Sequence, residues 1–474
     1  MASDARQILK YVPAVFLVPM FWSPIPSSHH TAREIAGYFQ SRAFLTDPLQ
    51  SFYYLTPLES FSALHLHSLV SAPLLAAGSY QAGRIVSFIA ALCAVALVGA
   101  FSRDLFDSRV AVLTPLFLWM HPLFQRFATH WWPESLSIFL TCAVLFLTYR
   151  YTRTSNRTFY YTAAAVLAVS VTNHQWEASI ALPMCALLWY HGYKKEVIQT
   201  GLVTGASVGM VTAIKSLQPT SGSLFATYGI LDYWPMLFDP AWYFRLRKLS
   251  EDPFSIAMSV TLPLALCVLA WSMYEYLVAQ SERSLIIGSW IFSGIIIIAL
   301  LPRGFKYHYY YAWTLLVPLA FAATLAVRRG LDTLNSRDYA INSNHLVIVL
   351  VLSASLYGFG FESGLGLTTA PSEPYSVETQ SQVQNAGNEL EQMNIKYGSQ
   401  IAFAGGWKDK DAIKYHEVVT LSRVLIYGDV TVRERDLIQG DGVGPRIVED
   451  HQHATDCQAV IFNSDGHISV SQCE

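Results

Sequence analysis

A carboxylate near the start of the chain has the setting expected of a catalytic base. Glu34 lies in HHTAREIAGYFQSRAFL, residues 29–45, where helical spacing places Glu34, Tyr38 and Arg42 on one face. A second face is apolar, so the stretch predicts an amphipathic helix on a membrane surface that displays its carboxylate. Activating an acceptor hydroxyl requires one well-placed base. Glu34 is therefore the catalytic candidate, and Tyr38 and Arg42 are substrate-binding candidates.

The same stretch also has a structural explanation. Thr31-x-x-Glu34 matches a capping box, in which the glutamate bonds a backbone N–H at the start of the helix. A capping role and a catalytic role use the same residue type, so the pattern leaves both interpretations of Glu34 open.

A basic cluster late in the chain suits a phosphate group. In PRGFKYHYYYAW, residues 302–313, Arg303, Lys306 and His308 precede Tyr309 at the edge of an apolar run. Arg and Lys bind phosphate through charge-assisted hydrogen bonds, so we predict contacts with a lipid-linked phosphate. Snorkelling of basic side chains at the membrane interface is the alternative explanation.

Two further candidates flank a tryptophan pair. Arg126 ends one apolar run, and the same two explanations apply to it. In HWWPESLSIFL, residues 130–140, Pro133 and Glu134 suit the first turn of a helix on structural grounds alone. A role for Glu134 in substrate binding therefore depends on what lies beside it.

No cofactor site stands out. The sequence contains no P-loop, GxGxxG, HExxH or paired CxxC motif, so no nucleotide is expected. A divalent metal ion remains open, because the predicted first loop is rich in histidine and carboxylate. The spacing of these residues fits no tight ligand motif: His29, His30, Glu34, Glu59, His65 and His67.

The elements that position these residues are those of a membrane protein. Only 14% of the 474 residues are charged, against roughly 25% in soluble domains. Apolar runs of bilayer-spanning length recur and predict an all-α polytopic bundle of about eleven transmembrane helices over residues 1–362. The run 61–78 is expected to lie against the membrane. A net charge of −3 gives no indication of nucleic-acid binding.

Positive charge predicts the orientation of the bundle. With a cytoplasmic N-terminus, the inner loops carry thirteen Lys and Arg residues and the outer loops ten, in the sense of the positive-inside rule. The long loops 25–80 and 215–253 are then extracytoplasmic. Long loops between transmembrane helices often carry function.

The polar residues 363–474 predict a small extracytoplasmic α/β domain. A helix is expected at 376–394, and strands at 400–404, 458–462 and 467–472. In an oxidising exterior Cys457 and Cys473, at the ends of the last hairpin, would form a disulfide.

These stretches resemble the polytopic GT-C glycosyltransferases, the group that contains protein O-mannosyltransferases and aminoarabinose transferases. The resemblance covers most of residues 1–327. It rests on Arg33 to Tyr38, Arg84, Arg103-Asp104-Leu105-Phe106, Pro122, Arg126, Glu134, Lys306 to Tyr310 and Pro318. The chain departs from the family at Arg33 and Glu134, where the family has Asp, at Asn173-His174, where Lys is common, and at Thr56-Pro57-Leu58-Glu59, where a Pro-Pro-Leu motif is degraded.

The resemblance implies an inverting hexosyl- or pentosyltransferase. Its donor would be a polyprenyl-phosphate sugar of the dolichyl-phosphate type, and its acceptor an extracytoplasmic protein, lipid or glycan. Glu34 would deprotonate the acceptor, while cations stabilise the departing lipid phosphate. A transporter or flippase of a lipid-linked glycan is the alternative. Such a protein should show internal repeats and ionisable residues at mid-membrane, whereas the candidates here cluster at predicted outer helix ends.

Overall fold

The protein is a bundle of helices, followed by a small β-sheet near the C-terminus. The computed structural model describes residues 8–15, 17, 31–46, 66–79, 81–106, 110–216, 235–236, 253–301, 309–335, 343–362, 377–393, 400–405, 457–464 and 467–472. Its helices are α1 Val12–Val15, α2 Thr31–Thr46, α3 Leu66–Ala76, α4 Ala82–Leu105, α5 Leu113–Met120, α6 Pro122–Thr129, α7 Glu134–Thr154, α8 Arg157–Asn173, α9 Ala181–Tyr190, α10 Lys194–Ser216, α11 Pro253–Ala279, α12 Glu282–Leu300, α13 Trp313–Asn335, α14 Ser343–Glu362 and α15 Val377–Gln392. Short 3-10 turns occupy Gln175–Ile180 and Tyr309–Ala312, and the strands are β1 Gln400–Gly405, β2 Cys457–Ser464 and β3 His467–Gln472.

Six of the described helices are long and apolar enough to cross a membrane by length and composition: α4, α7, α10, α11, α12 and α13. Large apolar side chains also cover outward surfaces, since Leu202 on α10 is 68% exposed and Leu277 on α11 is 70% exposed. Apolar surface of this kind suits contact with lipid. The protein is therefore a multi-pass membrane protein. The described residues do not establish the expected total of eleven spans.

The apolar run 110–124 is not one continuous helix. α5 ends at Met120 and α6 starts at Pro122, with His121 extended between them at φ −82° and ψ 121°. Proline disfavours helical backbone at the preceding residue and removes one backbone donor. Each helix has eight residues, or about 12 Å. The break directs α6, all of whose residues are buried, toward the start of α7.

α3 is shorter than a membrane span, and that the run 61–78 lies against the membrane stays a prediction. Its 11 residues extend about 16 Å, well short of the ~30 Å hydrocarbon core. Polar side chains on α3, including His67, Ser68 and Ser71, are buried. α3 therefore packs against protein on its polar side.

Helix polarity brings one set of helix ends together. α7 and α8 form an antiparallel pair around Ser155, which caps α7 in the left-handed conformation, so the start of α7 lies beside the end of α8. The start of α4 joins them through Ser87, which donates to the carbonyl of Trp132 just before α7. We call this the Glu34 end of the bundle. The opposite end is tied by ion pairs of Arg150 with Asp104 at 3.1 Å and of Arg153 with Glu282.

The expected C-terminal elements occur near their predicted positions. β1 is parallel to β2, and β2 pairs antiparallel with β3, with Ala459 opposite Gln472. That these elements form a separate extracytoplasmic domain stays a prediction. The disulfide also stays a prediction, because Cys473 lies outside the described residues and the side chain of Cys457 is not described.

Candidate active site

A buried ion pair between α2 and α4 lies at the centre of the Glu34 end. Arg84 donates from Nε to Oε1 of Glu34 at 3.0 Å and from Nη2 to Oε2 at 3.1 Å. The backbone N–H of Trp131 donates to the same Oε1 at 2.9 Å. Both partners are removed from solvent, with Glu34 0% and Arg84 1% exposed. The geometry is bidentate, the form in which arginine binds a carboxylate most strongly.

Glu34 is therefore not displayed above a membrane surface, as the amphipathic pattern suggested. Tyr38 and Ser41 on the same helix face are buried as well, and Ser41 donates to the carbonyl of Ser68 on α3 at 2.8 Å. A buried carboxylate requires a paired charge and hydrogen bonds, and Arg84 provides these from α4. The polar face of α2 is turned into the protein for this reason.

Two glycines make room for the indole ring of Trp131. A Cβ at Gly83 would lie 2.0 Å from Cδ2 and Cε2 of the ring, and one at Gly37 would lie 2.6 Å from Cδ1. The ring of Tyr38 meets that of Trp131 edge-on at 5.8 Å between centroids. Trp131 thus lies between α2 and α4, and its backbone N–H is held at Glu34 by this packing.

The charges around Glu34 set its protonation. Burial alone would raise the pKa of Glu34, but the guanidinium of Arg84 and the hydrogen bonds from Arg84 and Trp131 lower it to about 2. Burial lowers the pKa of His130 to about 3. Its Nδ1 lies 3.0 Å from the carbonyl of Arg126, which can only accept, so the proton of the neutral ring is on Nδ1. At neutral pH Glu34 is a carboxylate and His130 is uncharged.

The structure brings Arg126 and Glu134 to the same end of the bundle. The guanidinium of Arg126 lies over the ring of Trp132, 5.3 Å from its centroid, and the side chain is buried rather than extended to the surface. Glu134 opens α7 and is fully buried. Arg42 is half-buried on α2. Arg303, Lys306 and His308 lie outside the described residues, and the side chain of Tyr309 is not described.

A second buried polar network was not predicted from the sequence. Asn173 donates to Oε1 of Glu177 at 3.2 Å and to the carbonyl of Pro133 at 3.2 Å, and its Oδ1 accepts from the backbone N–H of His67 at 3.0 Å. Ser137 also donates to Oε1 of Glu177. The network fixes α3, the start of α7 and the end of α8. One signal was available, a lone acid within an apolar stretch, which is a default functional candidate in membrane proteins.

The network continues toward Glu34. Ser87 donates to the carbonyl of Trp132 at 3.1 Å, so the Nε2–H of His67, 2.9 Å away, donates to Ser87. Among the described residues no group of three or more His, Cys, Asp or Glu side chains could hold a metal ion. Of the histidines and carboxylates first considered for a metal, Glu34 binds Arg84 and His67 binds Ser87.

Comparison with known proteins supports the family resemblance seen in the sequence. A family model described as dolichyl-phosphate-mannose-protein mannosyltransferase matches residues 70–217, which include Arg84, Arg126, Glu134 and Glu177 but not Glu34. No curated protein sequence matches the chain.

Solved structures match over nearly the whole chain. Cupriavidus metallidurans ArnT in the apo state shares 15% identity at a TM-score of 0.54, over 98% of this chain and 94% of that chain. The same protein bound to undecaprenyl phosphate shares 13% at 0.51, over 91% and 86%. The Archaeoglobus fulgidus oligosaccharyltransferase in complex with Zn and sulfate shares 12% at 0.52, over 88% and 61%. The resemblance to GT-C glycosyltransferases is confirmed, and the fold is shared with these proteins.

Proposed function

We propose that this protein is a glycosyltransferase that moves a sugar from a polyprenyl-phosphate donor to an extracytoplasmic acceptor. The observation that carries the proposal is the buried pair of Glu34 and Arg84 at the end of a bundle whose fold is shared with ArnT and an archaeal oligosaccharyltransferase. One structure of that fold contains undecaprenyl phosphate, which supports a lipid-linked donor. The orientation, with this end outside, rests on the distribution of basic residues.

The proposed reaction is an inverting displacement. Glu34 takes a proton from an acceptor hydroxyl or amine, and the acceptor atom attacks the anomeric carbon of a hexosyl or pentosyl unit. The bond between that carbon and the phosphate oxygen breaks, and the lipid phosphate leaves with the electron pair. Cations stabilise the charge that develops on the leaving group. Arg303 and Lys306 are proposed for this role, together with Arg126 and His308.

The geometry sets a condition on Glu34 as the base. Arg84 and Trp131 donate three hydrogen bonds to the carboxylate, two to Oε1 and one to Oε2. The acceptor must therefore share Oε2 with Arg84 or replace one of these donors. A pKa of about 2 keeps Glu34 ionised but makes it a weak base until that exchange occurs. Acceptor binding that moves Trp131 or Arg84 away from the carboxylate would raise its basicity at the moment of transfer.

Reconstitution of the purified protein in liposomes tests the proposal. Polyprenyl-phosphate sugars are supplied with peptide, lipid and glycan acceptors, and free lipid phosphate is quantified by mass spectrometry. We expect lipid phosphate to be released in step with sugar transfer. A flippase would move the donor across the bilayer without cleaving it, and that result would overturn the proposal. Comparing lipid-linked sugars and surface glycans of cells with and without the gene would then identify the sugar and acceptor.

Orientation has its own test. A reporter fused after Glu474 should be active only outside the cytoplasm. Activity confined to the cytoplasm would invert the bundle and place the Glu34 end on the inner side.

A further inference from the structure

Glu177 is a fully buried carboxyl that has no cationic partner among the described residues. It lies in the 3-10 turn Gln175–Ile180, outside the six candidate spans. Its Oε1 accepts from Ser137 and from Asn173, both neutral donors, whereas its Oε2 is buried and has no hydrogen-bond partner in the part of the chain that the structure describes. Within the described part of the chain, no Lys or Arg pairs with it. An ionised carboxylate in such surroundings is strongly disfavoured.

The groups around the turn make ionisation of Glu177 still less favourable. Burial, with a further contribution from the charge of Glu134, raises the pKa of Glu177 to about 8 despite the hydrogen bonds it accepts. His174 immediately precedes the turn, and Cys185 is the thiol of α9. The charged residues of α7 other than Glu134 are in its last two turns, Arg157 is the first residue of α8, and Lys194, Lys195 and Glu196 open α10. The side chain of Lys215, at the end of α10, is not among those described. The charged residues of α12 are at its other end, at Glu282 and Arg283.

We propose that Glu177 is a positioning residue that is neutral in the working enzyme, and that its protonated carboxyl holds the start of α7, and with it Glu134, through Ser137 and Asn173. Asn173 reaches the carbonyl of Pro133, the residue before Glu134, at 3.2 Å. Loss of the proton would place a second buried negative charge beside Glu134. Like charges sharing one site repel each other, so the start of α7 would shift.

The position of this network gives it influence on the candidate active site. From Asn173 it runs through His67 and Ser87 to the carbonyl of Trp132, one residue after the N–H that bonds Glu34. The positioning role therefore rests on the proposed transfer reaction. The protonation state of Glu177 does not, and it can be tested without any assay of activity.

The experiment compares thermal unfolding of wild type and Glu177→Gln between pH 5 and pH 9 in detergent. Glutamine has the shape of the neutral acid. A folded-state pKa above the unfolded value of about 4.5 makes wild-type stability fall as pH rises between the two values. The melting temperature of Glu177→Gln minus that of wild type should therefore increase from pH 5 to about pH 8 and stay constant at higher pH. A constant difference would show an ionised Glu177 and overturn the proposal.

Two controls separate the outcomes. Glu275→Gln removes a carboxylate that is paired with Arg329, and its difference from wild type should not vary over this range. In the transfer assay, Glu177→Ala should lose activity, Glu177→Gln should restore it, and the decline of wild-type activity above about pH 8 should be absent in Glu177→Gln. A Gln variant as inactive as the Ala variant would contradict the positioning role. If the wild type transfers no sugar, the proposed function fails, while the unfolding comparison still decides the protonation.

Discussion

Arg84 bonds both carboxylate oxygens of Glu34 across 50 residues of chain, and neither side chain reaches the surface. The pair joins α2, in the first predicted outer loop, to α4, the first of the six candidate membrane spans among the described residues. Any catalytic role for Glu34 operates from within this pair. The stability of the pair and its chemistry can be measured separately.

Removing Arg84 should destabilise the fold strongly. Arg84→Ala leaves a buried carboxylate without its partner, a change that typically costs about 3–5 kcal/mol. The stability of Arg84→Lys should lie between those of wild type and Arg84→Ala, because an ammonium cannot reproduce the two parallel bonds of a guanidinium. Arg150→Ala is the control, since its pair with Asp104 is 42% exposed on the arginine side and should be worth about 0–1 kcal/mol. Equal melting temperatures for Arg84→Ala and Arg150→Ala would contradict a buried pair.

A methyl group at residue 83 should disturb the same site from its other side. Gly83→Ala places a Cβ within 2.0 Å of the Trp131 ring, and overpacking of this kind costs about 1–3 kcal/mol. The shift of Trp131 would also draw its N–H away from Glu34. Gly201→Ala on α10 meets nothing within 4 Å and should leave the melting temperature unchanged or slightly raised. A neutral Gly83→Ala would show that Trp131 does not fill this space.

The protonation of Glu34 should be visible in stability at acid pH. Its folded pKa of about 2 lies below the ordinary value of 4.5, so the pair stabilises the protein above pH 4.5 and loses that contribution as pH falls toward 2. The difference in melting temperature between wild type and Glu34→Gln should be constant from pH 7 to 5 and shrink below 4.5. A difference that already shrinks between pH 7 and 5.5 would indicate a carboxyl without this pairing.

Local sequence pattern predicted the helix around Glu34 and the apolar bundle, because helical period and apolar run length are properties of neighbouring residues. It did not predict that the polar face of α2 points into the protein. That orientation depends on Arg84 and on the space that Gly83 leaves for Trp131, contacts between distant segments that no local pattern records. Pro122 is a local signal for the break between α5 and α6. The prediction followed the continuous apolar run 110–124 instead.

The network around Glu177 illustrates a second limit. Glu177 belongs to no motif, and Ser137 and Asn173 reach it only because the 3-10 turn folds back on the start of α7. Asn173 had been noted as a departure from the family pattern, where lysine is common. In the structure, the uncharged amide of Asn173 bonds the carboxyl of Glu177, the carbonyl of Pro133 and the backbone N–H of His67.

The donor phosphate should depend on the basic cluster before α13. Arg303→Ala and Lys306→Ala should each weaken donor binding by about 1.5–3 kcal/mol, the scale of a hydrogen bond to a charged group. Lys195→Ala, an exposed basic residue at the opposite end of the bundle, should leave donor affinity unchanged. If all three variants bind the polyprenyl-phosphate sugar as wild type does, the cluster only anchors the chain at the interface.

The rate of sugar transfer by Glu34→Gln tests the central claim most directly. Glutamine keeps the size of the side chain and an oxygen that can accept from Arg84, but it cannot take a proton. With a polyprenyl-phosphate sugar and an acceptor in liposomes, we expect the rate of lipid-phosphate release to fall about 10²–10⁴-fold, the usual contribution of a general base, while the protein still unfolds cooperatively. Transfer at the wild-type rate by folded Glu34→Gln would contradict the assignment and move the base elsewhere, to Asp47 or Glu59 as the next candidates.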